Sequence, residues 1–270
     1  MSDHLLRING VDLHVPPAAG DGELVVLVHG SWTEHGAWAA LVPPLARSFR
    51  VVSYDRRGHS RSGRTPEPSP RRQDEDDLAA LIEALGRGPA HVVGSSYGAA
   101  IALSLAGRRP ELVRSVVAHE PALIGLVPMP EVAAAIRSVQ DQLDAGDVVA
   151  GTRRFFEEVI LAPGGWDRVP EPMQRAAIAN AQTFVDMGED PGWASLDVRA
   201  VRRFPGPILV THGDSSPAWL PHVALEVAAW IGRETKVLAG AGHSPHMTHP
   251  HAFAAVISDF IAGQRLARAA

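Results

Sequence analysis

Six short, almost unbroken apolar runs rich in β-branched residues recur along the chain: Leu24–Val28, Val51–Tyr54, His91–Val93, Ser115–Ala118, Pro207–Thr211 and Lys236–Ala239. Alternation of apolar and polar residues would mark strands with one wet face. Continuous runs of this length mark strands covered on both faces, as in a parallel sheet. Helical repeats stand between them. Leu78, Leu81, Ile82 and Leu85 keep the i, i+3, i+4, i+7 spacing, with Asp74, Asp76 and Asp77 ahead of them and Gly86 behind. Val223, Val227, Trp230 and Ile231 stop at Gly232 in the same way. Phe253, Val256, Ile257, Phe260 and Ile261 follow Pro250 and predict a helix ending near Gly263. Strand and helix in alternation predict an α/β protein, with a mostly parallel, doubly wound sheet and helices on both faces.

The alternation breaks between Ile124 and Phe204. Val132–Leu143, Thr152–Leu161 and Met173–Met187 have helical patterns there, and no strand pattern appears. The stretch is too long for a plain connection. It predicts a helical cap of residues 124–204 inserted into a core of residues 1–123 and 205–270. The Pro- and Arg-rich segment Arg64–Arg72 is expected to be a surface loop.

Composition narrows the classes of function. The 270 residues are 46% apolar with a formal net charge of −5, both signs interspersed, which gives no nucleic-acid footprint. The absence of cysteine excludes disulfides, thiolate metal sites and a cysteine nucleophile. Met1–Asn9 lacks the pattern of a signal peptide, and no apolar run approaches the ~18 residues of a membrane helix. These features predict a cytoplasmic protein whose partner is a small molecule. The sequence leaves the oligomeric state open, with a homodimer as one possibility.

The segment with the most chemical content is Gly94-Ser95-Ser96-Tyr97-Gly98, between the strand pattern at His91 and the small-residue helix pattern Ala99–Ala106. A serine on a sharp strand-to-helix turn needs glycines on either side, because the backbones there approach too closely for side chains. Such a turn lifts the hydroxyl into a cleft at a helix N-terminus, where negative charge is favoured. Ser96, central between the glycines, is the candidate nucleophile; Ser95 is its competitor.

On these residues the chain resembles the α/β-hydrolase superfamily. Val25-Val-Leu-Val-His29-Gly30 looks like that family's strand before the oxyanion loop. Tyr54-Asp55-Arg56-Arg57-Gly58-His59-Ser60-Arg61-Ser62 looks like its Asp-x-x-Gly-x-Ser-x-Ser turn, and Gly240-Ala-Gly-His243 like the loop that delivers its histidine. The resemblance implies a serine–acid–histidine order. His243 is then the general base that a serine hydroxyl needs. The run His243, His246, His249, His251 lacks the helix-borne i, i+4 pair and glutamate of zinc proteases, so no metal is expected, and no cofactor.

The acid departs from the family pattern. Most relatives carry an aspartate three residues past the glycine that ends the penultimate strand. Here that position is Ser216, and Asp214 follows Gly213 directly. Glu120, after Val116-Val-Ala-His119, is the alternative at the same sheet edge. Its position resembles the acid of the zearalenone lactonases, as does Gly242-His243-Ser244-Pro245-His246-Met247-Thr248-His249-Pro250. Glu120 is favoured, with Asp214 kept as the alternative.

The expected oxyanion donors are the backbone N–H groups of Ser31 and Tyr97. His29 and Asp55 are expected to be structural. Trp32, Trp219 and His246 are candidate substrate-binding residues. Met129, Trp166, Met173, Met187 and Trp193 are candidates for an apolar lining that suits a hydrophobic acyl or lactone substrate. The reaction expected is hydrolysis of a carboxylic ester or lactone. Carbon–carbon bond hydrolysis, perhydrolase activity and non-catalytic ligand binding remain open on the same parts.

Overall fold

A computed structural model describes residues 4–161 and 163–269 of the chain. All six expected strands form: β3 (Glu23–Val28), β4 (Phe49–Ser53), β5 (Ala90–Ser95), β6 (Val113–His119), β7 (Ile208–Gly213) and β8 (Thr235–Leu238). They build one parallel sheet in the order β4-β3-β5-β6-β7-β8. Ahead of them the structure adds an antiparallel hairpin, β1 (Leu5–Ile8) and β2 (Val11–His14). Its turn is Asn9-Gly10, both with positive φ (41° and 85°), the backbone that tight hairpins require.

The runs of the inner strands are continuous because both faces of the sheet are covered there, whereas β8, at the edge, is exposed at three of its four residues. Val26, Val28, Val92 and Val116 point into one apolar cluster with helices α2 (Arg71–Leu85), α3 (Tyr97–Arg108), α8 (Val198–Arg203) and α9 (Trp219–Ile231). Their neighbours Val25, Leu27, Val93 and Val117 point into another, with α1 (Val42–Leu45) and, after the short α10 (Pro245–Thr248), α11 (Pro250–Ala269). Gly86 and Gly232 end α2 and α9 in the left-handed conformation, as their positions predict. The last helix continues past Gly263 to Ala269, since a single glycine weakens a helix without breaking it. Arg71 and Arg72 belong to α2 and not to the preceding loop.

The connection from β6 to β7 is helical, with no strand among the described residues: α4 (Pro130–Asp144), α5 (Val148–Arg154), a π-helical turn (Phe155–Ile160), a 3-10 turn (Trp166–Arg168), α6 (Glu171–Ala179), α7 (Ala181–Gly188) and α8. The pattern Met173–Met187 is two helices, broken at Asn180. That buried amide donates to the carbonyl of Thr33 (3.1 Å) and accepts from the amide of Ser60 (2.7 Å), so it pins the connection to the core. α8 packs against α3 and α9, within the helix layer on one face of the sheet. Among the described residues no helix is long and apolar enough to cross a membrane.

Candidate active site

The turn after β5 has the steric demands that its glycines imply. A Cβ on Gly94 would lie 2.3 Å from the carbonyl oxygen of Gly98, and one on Gly98 would lie 2.1 Å from that of Val28. Between them Ser96 has φ 55° and ψ −120°, a strained backbone for a residue with a side chain. The strain is held by neighbours. The Ser96 amide donates to the His119 carbonyl (2.9 Å), and its own carbonyl accepts from Ala99, Ala100 and Ala122. Gly30 also comes close: a Cβ there would meet the Ser96 Cβ at 3.1 Å. Ser95 ends β5, buried, while Ser96 is partly open.

His243 arrives on the loop after β8. A Cβ on Gly213 would lie 2.1 Å from the Ala241 carbonyl oxygen, so the end of β7 and the histidine loop touch backbone to backbone. His243 is 8% exposed, and its Nδ1–H donates to Oε2 of Glu120 at 2.6 Å. Glu120 follows β6 with φ 42° and is fully buried. Its other oxygen accepts from the Gly213 amide (2.9 Å) and the Ser216 hydroxyl (2.6 Å). Burial opposes ionisation of this carboxyl. The hydrogen bond and charge of His243, the charge of His119 and the Ser216 hydroxyl outweigh it and hold the pKa down at about 2. Ser216, at the position where the family pattern has an aspartate, thus donates to the glutamate. That role was not visible in the sequence, since the two residues are far apart along it.

Asp214 lies elsewhere. It is exposed, and its Oδ1 accepts from the Gly240 amide (2.7 Å) and the Ser215 hydroxyl (3.3 Å), bracing the loop that leads to His243. It makes no hydrogen bond to His243. His29 is structural in its contacts: Nε2 accepts from the Arg56 amide (2.9 Å) and Nδ1 lies 2.9 Å from the Gly30 carbonyl oxygen. Asp55 holds its own turn by accepting from the Arg61 amide (3.2 Å) and ties it to His35 through the His35 amide (2.8 Å).

Ser96 and His243 open onto one cavity of about 250 Å³. Ser31 stands on its wall, and Tyr97 begins α3 directly after Ser96. Among the described residues neither the Ser31 nor the Tyr97 amide has a protein hydrogen-bond partner. The apolar wall comprises Phe155, Phe156, Ile160, Val169, Met173 and Met247. His246 also faces the cavity. It is buried, its ring centroid 4.5 Å from that of Trp38 and tilted against it by 40°, and burial first, then the nearby His119 and His243, push its pKa down to about 3.

Two residues expected at the substrate do not line this cavity. Trp32 is 1% exposed and packed between Phe155 and Phe184, with ring centroids 5.0 and 4.9 Å away. Trp219 donates its indole N–H to the Val159 carbonyl (2.9 Å). Both fasten the helical connection to the core, because a large aromatic next to a cleft is as readily claimed by a facing helix as by a ligand. Of the other candidates, Met173 lines the cavity. Trp166 packs on Phe156, Met187 lies 3.9 Å from the Ser31 hydroxyl, and Met129 and Trp193 join the core periphery.

Among the described residues two groups bring three metal-ligating atoms within 4.8 Å of one another: His119, Glu120 and His243, and His14, His35 and Asp55. In each group carboxylate and imidazole are already paired, at 2.6 and 2.7 Å. His246, His249 and His251 do not join His243 in such a group among the described residues.

The sequence model of the alpha/beta hydrolase family matches residues 25–256. The chain is 30% identical to 2-(acetamidomethylene)succinate hydrolase of Mesorhizobium japonicum, over 96% of each chain. It is 29% identical to 2-hydroxymuconate semialdehyde hydrolase of a Pseudomonas species, over 90% of this chain and 88% of that one. Other relatives match over about 40–61% of their length. The fold superimposes on an alpha/beta hydrolase from Sphaerobacter thermophilus with a TM-score of 0.72 and 28% identity, covering 95% of this chain and 99% of that one. By sequence and by architecture, the chain belongs to the alpha/beta hydrolase family and is a hydrolase.

Proposed function

We propose that this hydrolase cleaves a carboxylic ester or lactone of a small, largely apolar substrate through an acyl-enzyme. His243 takes the proton of Ser96 as its oxygen attacks the carbonyl, and returns it to the leaving alcohol oxygen. Water, deprotonated by the same imidazole, then attacks the acyl-enzyme and releases the acid and the serine. Glu120 keeps the Nδ1–H tautomer of His243 and stabilises the imidazolium. The amides of Ser31 and Tyr97 receive the oxyanion, a role worth about 3 kcal/mol for a single donor elsewhere. The helical connection acts as a lid that sets the shape of the substrate.

The observation that carries this reading is the 2.6 Å bond from His243 to a buried, ionised Glu120, with Ser96 on a strained turn facing the same cavity. Carboxylates are seldom fully buried unless paired, and the imidazole of this pair lines the same cavity as Ser96. Two relatives matched along nearly their whole length are named as hydrolases of small molecules, which suits the cavity volume.

Fluorophosphonate labelling with a short aryl ester assayed in parallel tests the proposal. The wild type is expected to label and to turn over, and Ser96→Ala to do neither, with a rate loss of roughly 10⁴-fold or more. Equal labelling of the two would end the case for Ser96. Labelling and turnover absent from both would favour a ligand-binding role.

A further inference from the structure

Beyond the histidines, one side chain lining the cavity can carry charge: Arg168. It ends the 3-10 turn of the helical connection, and the turn is firmly set. The Trp166 ring is buried 5.0 Å from that of Phe156, and the Trp166 carbonyl accepts from the Gln174 side chain at 2.8 Å. The Arg168 amide donates back to the Gly165 carbonyl at 3.1 Å. Arg168 itself is exposed and lines the cavity together with Val169, Pro170 and Leu161.

The carboxylates on this part of the connection are already taken. Asp167 and Glu157 pair with Arg153 (2.9 and 3.2 Å), Glu158 with Arg154 (3.1 Å) and Glu171 with Arg175. Among the described residues no acid pairs with Arg168. An arginine left over from a set of matched pairs, and lining a largely apolar cavity, is available to a ligand. Its planar fork matches a carboxylate in two-pronged geometry. A neutral substrate would leave that fork to water, whereas an anionic one forms a charge-assisted pair with apolar walls shielding one side.

We infer that Arg168 is a specificity-determining residue that holds a carboxylate carried by the substrate, so that the preferred substrate is an anionic ester or lactone with an apolar body. The inference rests on the ester or lactone reading of the site.

Two pairs of aryl esters test it. One pair puts the charge on the acyl side: p-nitrophenyl hydrogen glutarate against p-nitrophenyl pentanoate. The other puts it on the leaving group: p-carboxyphenyl pentanoate against p-carbamoylphenyl pentanoate. The wild type is expected to favour the carboxylate in at least one pair by roughly tenfold or more in kcat/KM, mostly through KM. High salt should shrink the preference. Arg168→Ala should bring the ratio to about one, and Arg168→Lys should keep part of it. A ratio near one in both pairs for the wild type, or a preference untouched by Arg168→Ala, overturns the inference and leaves the serine chemistry standing. If no ester turns over, the functional reading fails first, and calorimetric titration of glutarate against glutaramide then decides. Tighter, Arg168-dependent binding of glutarate supports the subsite, and equal binding ends it.

Discussion

Glu120 and Asp214 have the same backbone address: each follows the last residue of a strand, and the two strands, β6 and β7, are neighbours in the sheet. Their surroundings have little else in common. Glu120 turns through a positive φ into the space between β6 and the histidine loop, loses all contact with solvent and collects three hydrogen bonds. Asp214 stays at the surface and spends its carboxylate on the Gly240 amide. The end of a parallel strand supplies position; desolvation and partners supply chemistry. A carboxylate in water gains little from an imidazole, whereas one buried beside it must be paired or protonated.

The sharpest way to break this comparison is to neutralise each acid in turn. Glu120→Gln is expected to lower kcat by roughly 10³–10⁴-fold, as removing a triad acid does elsewhere, while Asp214→Asn should change it by less than about threefold. Steady-state kinetics on one ester decides it, and the reverse order would hand the role to Asp214. Next in size is the contact that separates the two loops. Gly213→Ala puts a Cβ where the Ala241 carbonyl lies and disturbs the amide that Glu120 accepts from. A shift of about 1 Å in His243 is expected to cost roughly 10²-fold in kcat, with a clear fall in Tm by calorimetry. Ser216→Ala sharpens the point further. It removes one hydrogen bond from the glutamate and nothing from the aspartate, for an expected loss of about 3–10-fold in kcat.

The smallest effect concerns acid stability. Glu120 has its folded pKa lowered from 4.5 to about 2, so its contribution to stability is complete above pH 4.5 and is lost as the pH falls through 2. Acid titrations of the wild type and Glu120→Gln followed by circular dichroism should therefore differ most above pH 4.5 and converge towards pH 2. A constant gap over that range would contradict the assignment of the low pKa.

Much of the sheet was legible because its causes are local. Strands covered on both faces read as apolar runs, as the inner strands do; β8, at the sheet edge, is exposed at three of its four residues and its run carries Lys236. The Gly94–Gly98 turn was legible for a steric reason that involves only nearby backbone. The Asn9-Gly10 hairpin carried an equally local turn signal, but its strands are short and half exposed, so their period is weak. The helical connection was legible as helix and not as architecture. The break at Asn180 depends on amide partners in the Ser31–Ser60 region, and Trp32 and Trp219 face helices whose approach no local pattern encodes. Asp74 and Asp77 look like helix N-terminal acids in the sequence. In the fold they also pair with the buried Arg56 and Arg57.

The sequence by itself determined the strands, the glycine-bounded serine turn and the loop that carries His243, since each follows from spacing and sterics within a few residues. The tertiary structure alone decided which carboxylate meets that imidazole, which aromatics are packing instead of pocket, and which arginine of the helical connection is left without an acid. Those outcomes depend on desolvation and on partners tens to more than a hundred residues away, and they exist only once the chain has closed around them.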